Sequence, residues 1–180
     1  MLVLTQLHRT HNMALDATKF APKAPKAKKV AGTMQGRFVP QNPAKYVGNP
    51  NRIMFRSSWE LKFFKYLDRM NAVMRWGSEE LAIPYVSPKD NRVHKYYPDV
   101  IVWYKDTAGN IQKEIVEIKP YKESVITPKM SDRDKEAYVI NQAKWSYAAK
   151  FAEANGAKFR VITERTMFKQ APQKAKGTAV

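Results

Sequence analysis

The chain is 180 residues long, carries a formal net charge of +16 at pH 7 and contains no cysteine. This length accommodates one domain with a hydrophobic core and additional tails, and the lack of cysteine excludes disulfide bonds and thiolate metal sites and fits a reducing compartment. No segment approaches the roughly 18 consecutive apolar residues of a membrane span, and the N-terminus lacks the pattern of a secretory signal, so we expect no membrane association.

The excess positive charge is concentrated in the flanks of the chain. Residues 17–59 contain nine Lys or Arg and no acid, and residues 165–180 contain four basic residues and no acid. Neutralising phosphates with basic side chains releases counterions without a precise docking surface, so this distribution favours contact with nucleic acid over a purely solubilising role. A low-complexity Ala-Pro-Lys segment predicts an extended basic arm over residues 1–33, and residues 165–180 form a basic tail.

Between these arms, the sequence predicts an α/β domain over residues 34–164, with a mixed central β-sheet flanked by helices. A first helix begins at Ser57, where Glu60 three residues later completes a capping box, and it is closed by Asn71. A second long helix is predicted over residues 134–155. Runs of β-branched and aromatic residues between turn signals predict five strands: 73–76, 81–85, 95–104, 112–119 and 158–163.

Charged residues embedded in apolar sequence are the candidate site. Asp99 follows Pro98 and shares a strand face with Ile101, because alternate residues of a strand face opposite sides. Glu117 and Lys119 likewise share one face of the next strand, and the hairpin between the two strands brings Asp99 next to Glu117. An exposed edge strand or a surface ion pair is the simpler alternative, but an unpaired charge inside a strand is costly.

Glu60 is the second kind of candidate, because it lies in the middle of the apolar arc of the first helix while the basic residues lie opposite. A capping glutamate needs no other purpose, but an acid on the core face can be both cap and ligand. Hard oxygen ligands of this kind hold Mg²⁺ or Mn²⁺ with open water positions. We therefore expect a metal site from Asp99, Glu117 and the carbonyl of Ile118, with Glu60 holding a second metal or a ligand water. Lys119 would orient water or stabilise charge on a phosphate.

Lys144 is an oddity of the second helix, because it lies in the middle of that helix's apolar arc with Gln142 on its flank. A lysine there can extend its amine to water; if it points into the cleft instead, it is a phosphate contact. The residues that we expect to contact double-stranded DNA are Lys144, Gln142, Arg37, Lys45 and Arg56.

The order Pro98-Asp99, Glu117-x-Lys119 and an acid on a preceding helix resembles the PD-(D/E)xK nuclease superfamily. Further short blocks resemble the head-completion nuclease family of T-even-type tailed phages, which is itself similar to the TnsA-type transposon endonuclease catalytic domain. These blocks include Gly36-Arg37-Phe38, Arg56-Ser57-Ser58-Trp59-Glu60-Leu61 and Glu117-Ile118-Lys119-Pro120.

The resemblance implies a metal-dependent DNA endonuclease with Glu60, Asp99, Glu117 and Lys119 as active positions. It also implies action after DNA packaging and before tail attachment, in the head–neck region of a virion assembled in the host cytoplasm, with head–neck or portal-proximal proteins as partners. An oligomer at the neck is compatible with it. Two alternatives stay open: a non-catalytic structural or DNA-end-binding protein on the same fold, and a TnsA-like or restriction-type endonuclease.

Overall fold

The computed structural model describes residues 34–167. The predicted arm over residues 1–33 and most of the predicted tail lie outside the described residues, so the domain boundaries stay a prediction. The described strands are β1 Gly36–Arg37, β2 Met54–Phe55, β3 Val73–Gly77, β4 Ile83–Val86, β5 Val93–Tyr96, β6 Val100–Lys105, β7 Ile111–Ile118 and β8 Lys158–Ile162. The described α-helices are α1 Ser58–Arg69, α2 Tyr121–Ser124 and α3 Asp132–Ala154.

The central sheet has four strands in the order β3-β6-β7-β8. β6 pairs antiparallel with both β3 and β7, and β8 pairs parallel with β7. The parallel pair requires a crossover, which α3 supplies between the two strands. The predicted mixed central sheet flanked by helices is therefore confirmed.

One face of this sheet packs against α1. Val102 and Val116 on the sheet join Phe64 and Leu67 on the helix in one core cluster around Trp76, which is fully buried. Ser57 caps the first turn of α1 as predicted, because its hydroxyl accepts from the Glu60 N–H at 3.1 Å; the Glu60 side chain accepts in return from the Ser57 hydroxyl and the Arg56 N–H.

The opposite face packs against α3 and a hairpin made of β4 and β5. Ile101 and Ile115 on the sheet join Trp145 and Ala148 of α3 in a second core cluster, together with Tyr96 of β5. The hairpin is a separate two-stranded sheet, so β4 and β5 do not belong to the central sheet.

The single predicted strand over 95–104 is wrong, because two strands of different sheets occupy this segment. β5 ends at Tyr96 and β6 begins at Val100. Pro98 lies in the break; it has no N–H for a ladder and restricts the residue before it. The apolar and aromatic character on both sides of the break favours strand, which is why the sequence pattern runs continuously across it.

Within residues 34–167, no helix is long and apolar enough to cross a bilayer.

Candidate active site

Glu117 lies at the C-terminal end of β7, on the sheet face that packs against α3, and is 4% exposed. One carboxylate oxygen, Oε2, accepts a hydrogen bond from the Tyr96 hydroxyl at 2.6 Å. The other, Oε1, lies 3.3 Å from the Nζ of Lys119. Strand alternation places Glu117 and Lys119 on the same side, as the sequence predicts.

Asp99 lies in the break between β5 and β6, directly beside this group. Its Oδ2 accepts a hydrogen bond of 2.6 Å from the N–H of Ile118. Burial, and then the charge of Glu117, raise the pKa of Asp99 well above its usual range, while the Ile118 N–H opposes the rise. The structure therefore brings Asp99, Glu117 and Lys119 together. Ile118 enters through its N–H, and the predicted use of its carbonyl stays a prediction.

Lys119 is the cation of this group. Burial disfavours its charge, but the carboxylates of Glu117 and Asp99 outweigh burial and raise the pKa of Lys119. The amine is therefore an ammonium at neutral pH, held against two acids. One ammonium thus serves two acids, whose mutual repulsion contributes to the raised pKa of Asp99.

Glu60 is close enough for its charge to act on Asp99, but its oxygens are engaged by the two residues that precede α1. Oε1 accepts from the Ser57 hydroxyl and Oε2 from the Arg56 N–H, both at 2.8 Å. Burial raises the pKa of Glu60, and these two hydrogen bonds oppose the rise. Across the described part of the chain, no group of three or more His, Asp or Glu side chains is arranged to hold a metal ion.

The sequence reasoning missed Glu79, which forms an ion pair with the Arg56 side chain. Glu79 has a backbone φ of 55°, an uncommon left-handed conformation for a non-glycine residue. The charges of both Glu60 and Asp99 also act on Arg56. The positive charge of Arg56 therefore partly offsets the negative charge of Glu60, Glu79 and Asp99. No sequence pattern signals the turn that brings Glu79 to Arg56.

Lys144 of α3 points toward this group instead of away from it. Its Nζ lies 5.8 Å from the ring centre of Tyr85 and 5.9 Å from that of Tyr96. Burial, and then the charge of Lys119, lower the pKa of Lys144. The side chain thus places a second amine within electrostatic range of Glu117 and Lys119.

The remaining predicted DNA contacts are not gathered around the acids. Lys45 donates to the carbonyls of Asp68 and Met70 at 3.2 and 2.9 Å, which stabilises the C-terminal end of α1. Arg37 is exposed and donates to Asn51 at 3.5 Å, and Gln142 is exposed on α3. Their roles as DNA contacts stay predictions.

Tyr96 is the other functional candidate that sequence reasoning missed. Burial, and then the charge of Glu117, raise the pKa of its hydroxyl, so the hydroxyl stays protonated and donates a hydrogen bond to the carboxylate. The Tyr-Tyr-Pro-Asp run that contains Asp99 also contains Tyr96. The sequence does not signal the break after Tyr96. Because of this break, Tyr96 and Asp99 lie in different segments, and both approach Glu117.

A mixed α/β domain with two carboxylates and a lysine at one strand end fits a class of endonuclease domains. Residues 70–164 match the family described as TnsA-like endonuclease N terminal, and the chain belongs to this family. It is also 37% identical over 139 residues to the protein named Head completion nuclease of Enterobacteria phage T4, a match that covers 72% of this chain and 90% of that protein. The resemblance drawn from the sequence motifs is thereby confirmed. Asp99, Glu117, Lys119 and Lys144 lie inside the family match, and Glu60 precedes it.

Proposed function

We propose that this protein is a divalent-metal-dependent DNA endonuclease that acts in phage head completion, after DNA packaging and before tail attachment. The observation that carries the proposal is the convergence of Asp99, Glu117 and Lys119 at one end of the central sheet. The family match and the relative named Head completion nuclease support the activity and its setting. The head–neck region of the virion, and partners there, are part of the same proposal.

The acid pair fits a divalent cation. Two carboxylates lie side by side, and the mutual repulsion contributes to the raised pKa of Asp99. A cation relieves this repulsion, and Mg²⁺ is commonly held by only one or two carboxylates plus water. Asp99 and Glu117 would hold Mg²⁺ or Mn²⁺, with Glu60 adding negative charge nearby and the Ile118 carbonyl as the predicted further ligand.

The two lysines of the site would have separate roles in phosphodiester hydrolysis. A bound cation would lower the pKa of a water and offset charge on the phosphate. Lys119, kept protonated by its two acids, can orient that water or donate a hydrogen bond to a non-bridging phosphate oxygen. Lys144 offers a second amine to a neighbouring phosphate. In the absence of DNA, Glu117 contacts Lys119 and its charge also acts on Lys144.

Double-stranded DNA is the proposed substrate because the charge of the chain is strongly one-sided. Residues 17–59 and 165–180 contain basic residues without acids, whereas residues 60–164 between them hold 18 basic and 15 acidic residues, so the two basic segments can neutralise phosphates. We therefore assign DNA cleavage to the acidic site and DNA binding to the basic segments that flank residues 60–164 in sequence.

Cleavage of linear double-stranded DNA with Mg²⁺ or Mn²⁺ tests the proposal. Asp99→Ala and Lys119→Ala should abolish cleavage that wild type shows. Matched controls are Asp106→Ala, an acid at the other end of β6, and Lys113→Ala, a lysine on the same face of β7. Absence of cleavage by wild type, or cleavage that survives both site substitutions, would show that the catalytic assignment is wrong.

A structural or DNA-end-binding role is the second candidate, and the engagement of both Glu60 oxygens in the helix cap favours it. Complementation of the encoding phage with Glu117→Ala separates the two roles, because a normal infectious yield would mean that turnover is not required. The family match favours a third candidate, a TnsA-like or restriction-type endonuclease. That candidate predicts cuts at defined sequences, which mapping of product ends would reveal.

A further inference from the structure

We infer that Tyr96 is a positioning residue for Glu117: it holds one carboxylate oxygen and leaves the other to face a bound cation. The inference rests on the proposed function, and it names a residue that acts through Glu117 without touching DNA. Tyr96 belongs to the β4–β5 hairpin, outside the central sheet that carries Glu117.

The geometry gives the two oxygens of Glu117 different partners. Oε2 accepts the short hydrogen bond from the Tyr96 hydroxyl, and Oε1 is 3.3 Å from the Lys119 amine. Both Tyr96 and Glu117 are about 5% exposed, so water does not readily replace the hydroxyl. A glutamate side chain has several rotatable bonds, and a buried hydrogen bond at one oxygen fixes the direction of the other.

The break between β5 and β6 makes this arrangement possible. Tyr96 ends β5, and Asp99 precedes β6, three residues later. One short segment therefore supplies both the hydroxyl that holds Glu117 and the second acid of the pair. A continuous strand would place Tyr96 and Asp99 on opposite faces of one sheet.

Loss of such an outer hydrogen bond typically weakens metal binding by about 10- to 100-fold. Tyr96→Phe removes the hydroxyl and keeps the ring. We expect its dissociation constant for Mn²⁺ to rise by that factor, while the rate of DNA cleavage at saturating Mn²⁺ stays within about 10-fold of wild type.

Tyr104→Phe is the matched control. Tyr104 also donates to a buried glutamate of β7, Glu114, at 2.7 Å, but on the other face of the sheet. Both variants lose one hydroxyl–carboxylate hydrogen bond, which is buried at Tyr96 and partly buried at Tyr104, so both should lose stability and Tyr104→Phe should lose no more than Tyr96→Phe. Only Tyr96→Phe should change Mn²⁺ binding.

Isothermal titration of the full chain with Mn²⁺, for wild type and both variants, measures this difference directly. Equal affinity in all three proteins would overturn the inference while leaving the proposed function standing. A wild-type chain that binds no Mn²⁺ and does not cut DNA would overturn the proposed function and this inference with it.

A second measurement needs no variant of Tyr96. Infrared carboxylate bands that change on addition of Mn²⁺ in wild type, but not in Glu117→Gln, report on Glu117. A wide separation between asymmetric and symmetric stretches is expected, because only one oxygen is available to the cation. A narrow separation, which indicates coordination through both oxygens, would overturn the inference.

Discussion

β7 carries two buried glutamates, one on each face of the central sheet, and their surroundings are similar up to a point. Glu117 accepts from Tyr96 and lies beside Lys119; Glu114 accepts from Tyr104 and lies 2.7 Å from the Arg160 side chain. On the α1 side, one acid meets one cation. On the α3 side, a second acid, Asp99, lies beside Glu117 and Lys119, and the charge of Glu117 helps to raise its pKa.

The difference teaches what separates a structural ion pair from a candidate site. Around Glu114, one tyrosine hydrogen bond and one arginine balance one carboxylate. Burial, and then the neighbouring Glu114 carboxylate, raise the pKa of Tyr104 to about 12, so this hydroxyl also serves only as a donor. What marks the Glu117 side is the added carboxylate with a raised pKa, the pattern that clusters at functional sites.

The sharpest test of this comparison removes the charge of each glutamate in turn. Glu117→Gln should lower DNA cleavage by at least about 10²-fold, because it removes a metal ligand and the partner of Lys119. Glu114→Gln should leave cleavage within about threefold and lower the free energy of unfolding by about 1–2 kcal/mol. Cleavage assays and urea unfolding measure both effects. Equal losses of cleavage would mean that the two glutamates do not differ in role.

Stabilisation by a bound metal should depend on the acids of the Glu117 side and not on Glu114. A ligand at about 100 times its dissociation constant stabilises a folded protein by about 2.7 kcal/mol. Mn²⁺ should therefore raise the melting temperature of wild type and of Glu114→Gln, and leave that of Asp99→Asn nearly unchanged. The control is Asp106→Asn, at the opposite end of β6. A rise of the same size in Asp99→Asn would place the binding site elsewhere.

The pH dependence of the free energy of unfolding should reveal the raised pKa of Asp99 in the metal-free protein. The pKa of Asp99 is raised in the folded state, so its contribution is fully present below the unfolded pKa and is lost as pH rises through the folded pKa. Asp99→Asn should therefore stabilise the metal-free protein at neutral pH, by about 0.5–2 kcal/mol, and the gain should vanish in acid. Unfolding in urea at several pH values, with chelator present, measures this. A variant less stable than wild type at neutral pH would contradict the raised pKa.

Much of this comparison could be predicted from the sequence where it depends on local rules. Alternation along a strand assigns Glu114 to one face of β7 and Glu117 and Lys119 to the other. The spacing of Ser57 and Glu60 predicts the helix cap in which the two residues are hydrogen-bonded in the structure. These inferences need only the period of a strand and the geometry of a helix end.

The parts that sequence could not supply depend on long-range contacts. Tyr96 meets Glu117 because the chain breaks after β5, and a segment rich in β-forming residues hides this break. Glu79 reaches Arg56 through a left-handed turn, which is not a conformation that glutamate favours. Lys144 faces the acids because α3 packs its apolar arc on the same sheet face. Each of these follows from tertiary packing that overrides local preference.

The smallest expected effect is a change in the salt dependence of DNA binding on removal of Lys144, the second amine on the Glu117 side. If its amine contacts one phosphate, Lys144→Ala should reduce the slope of log affinity against log salt concentration by about 1. Binding is measured with Ca²⁺ in place of Mg²⁺ to limit cleavage, and Lys150→Ala, on the exposed surface of the same helix, is the control. Because the change removes one lysine in each case, net charge falls equally in both variants. A slope change that appears in both would assign the effect to overall charge, whereas a change confined to Lys144→Ala would extend the site from the acid pair to the DNA backbone beside it.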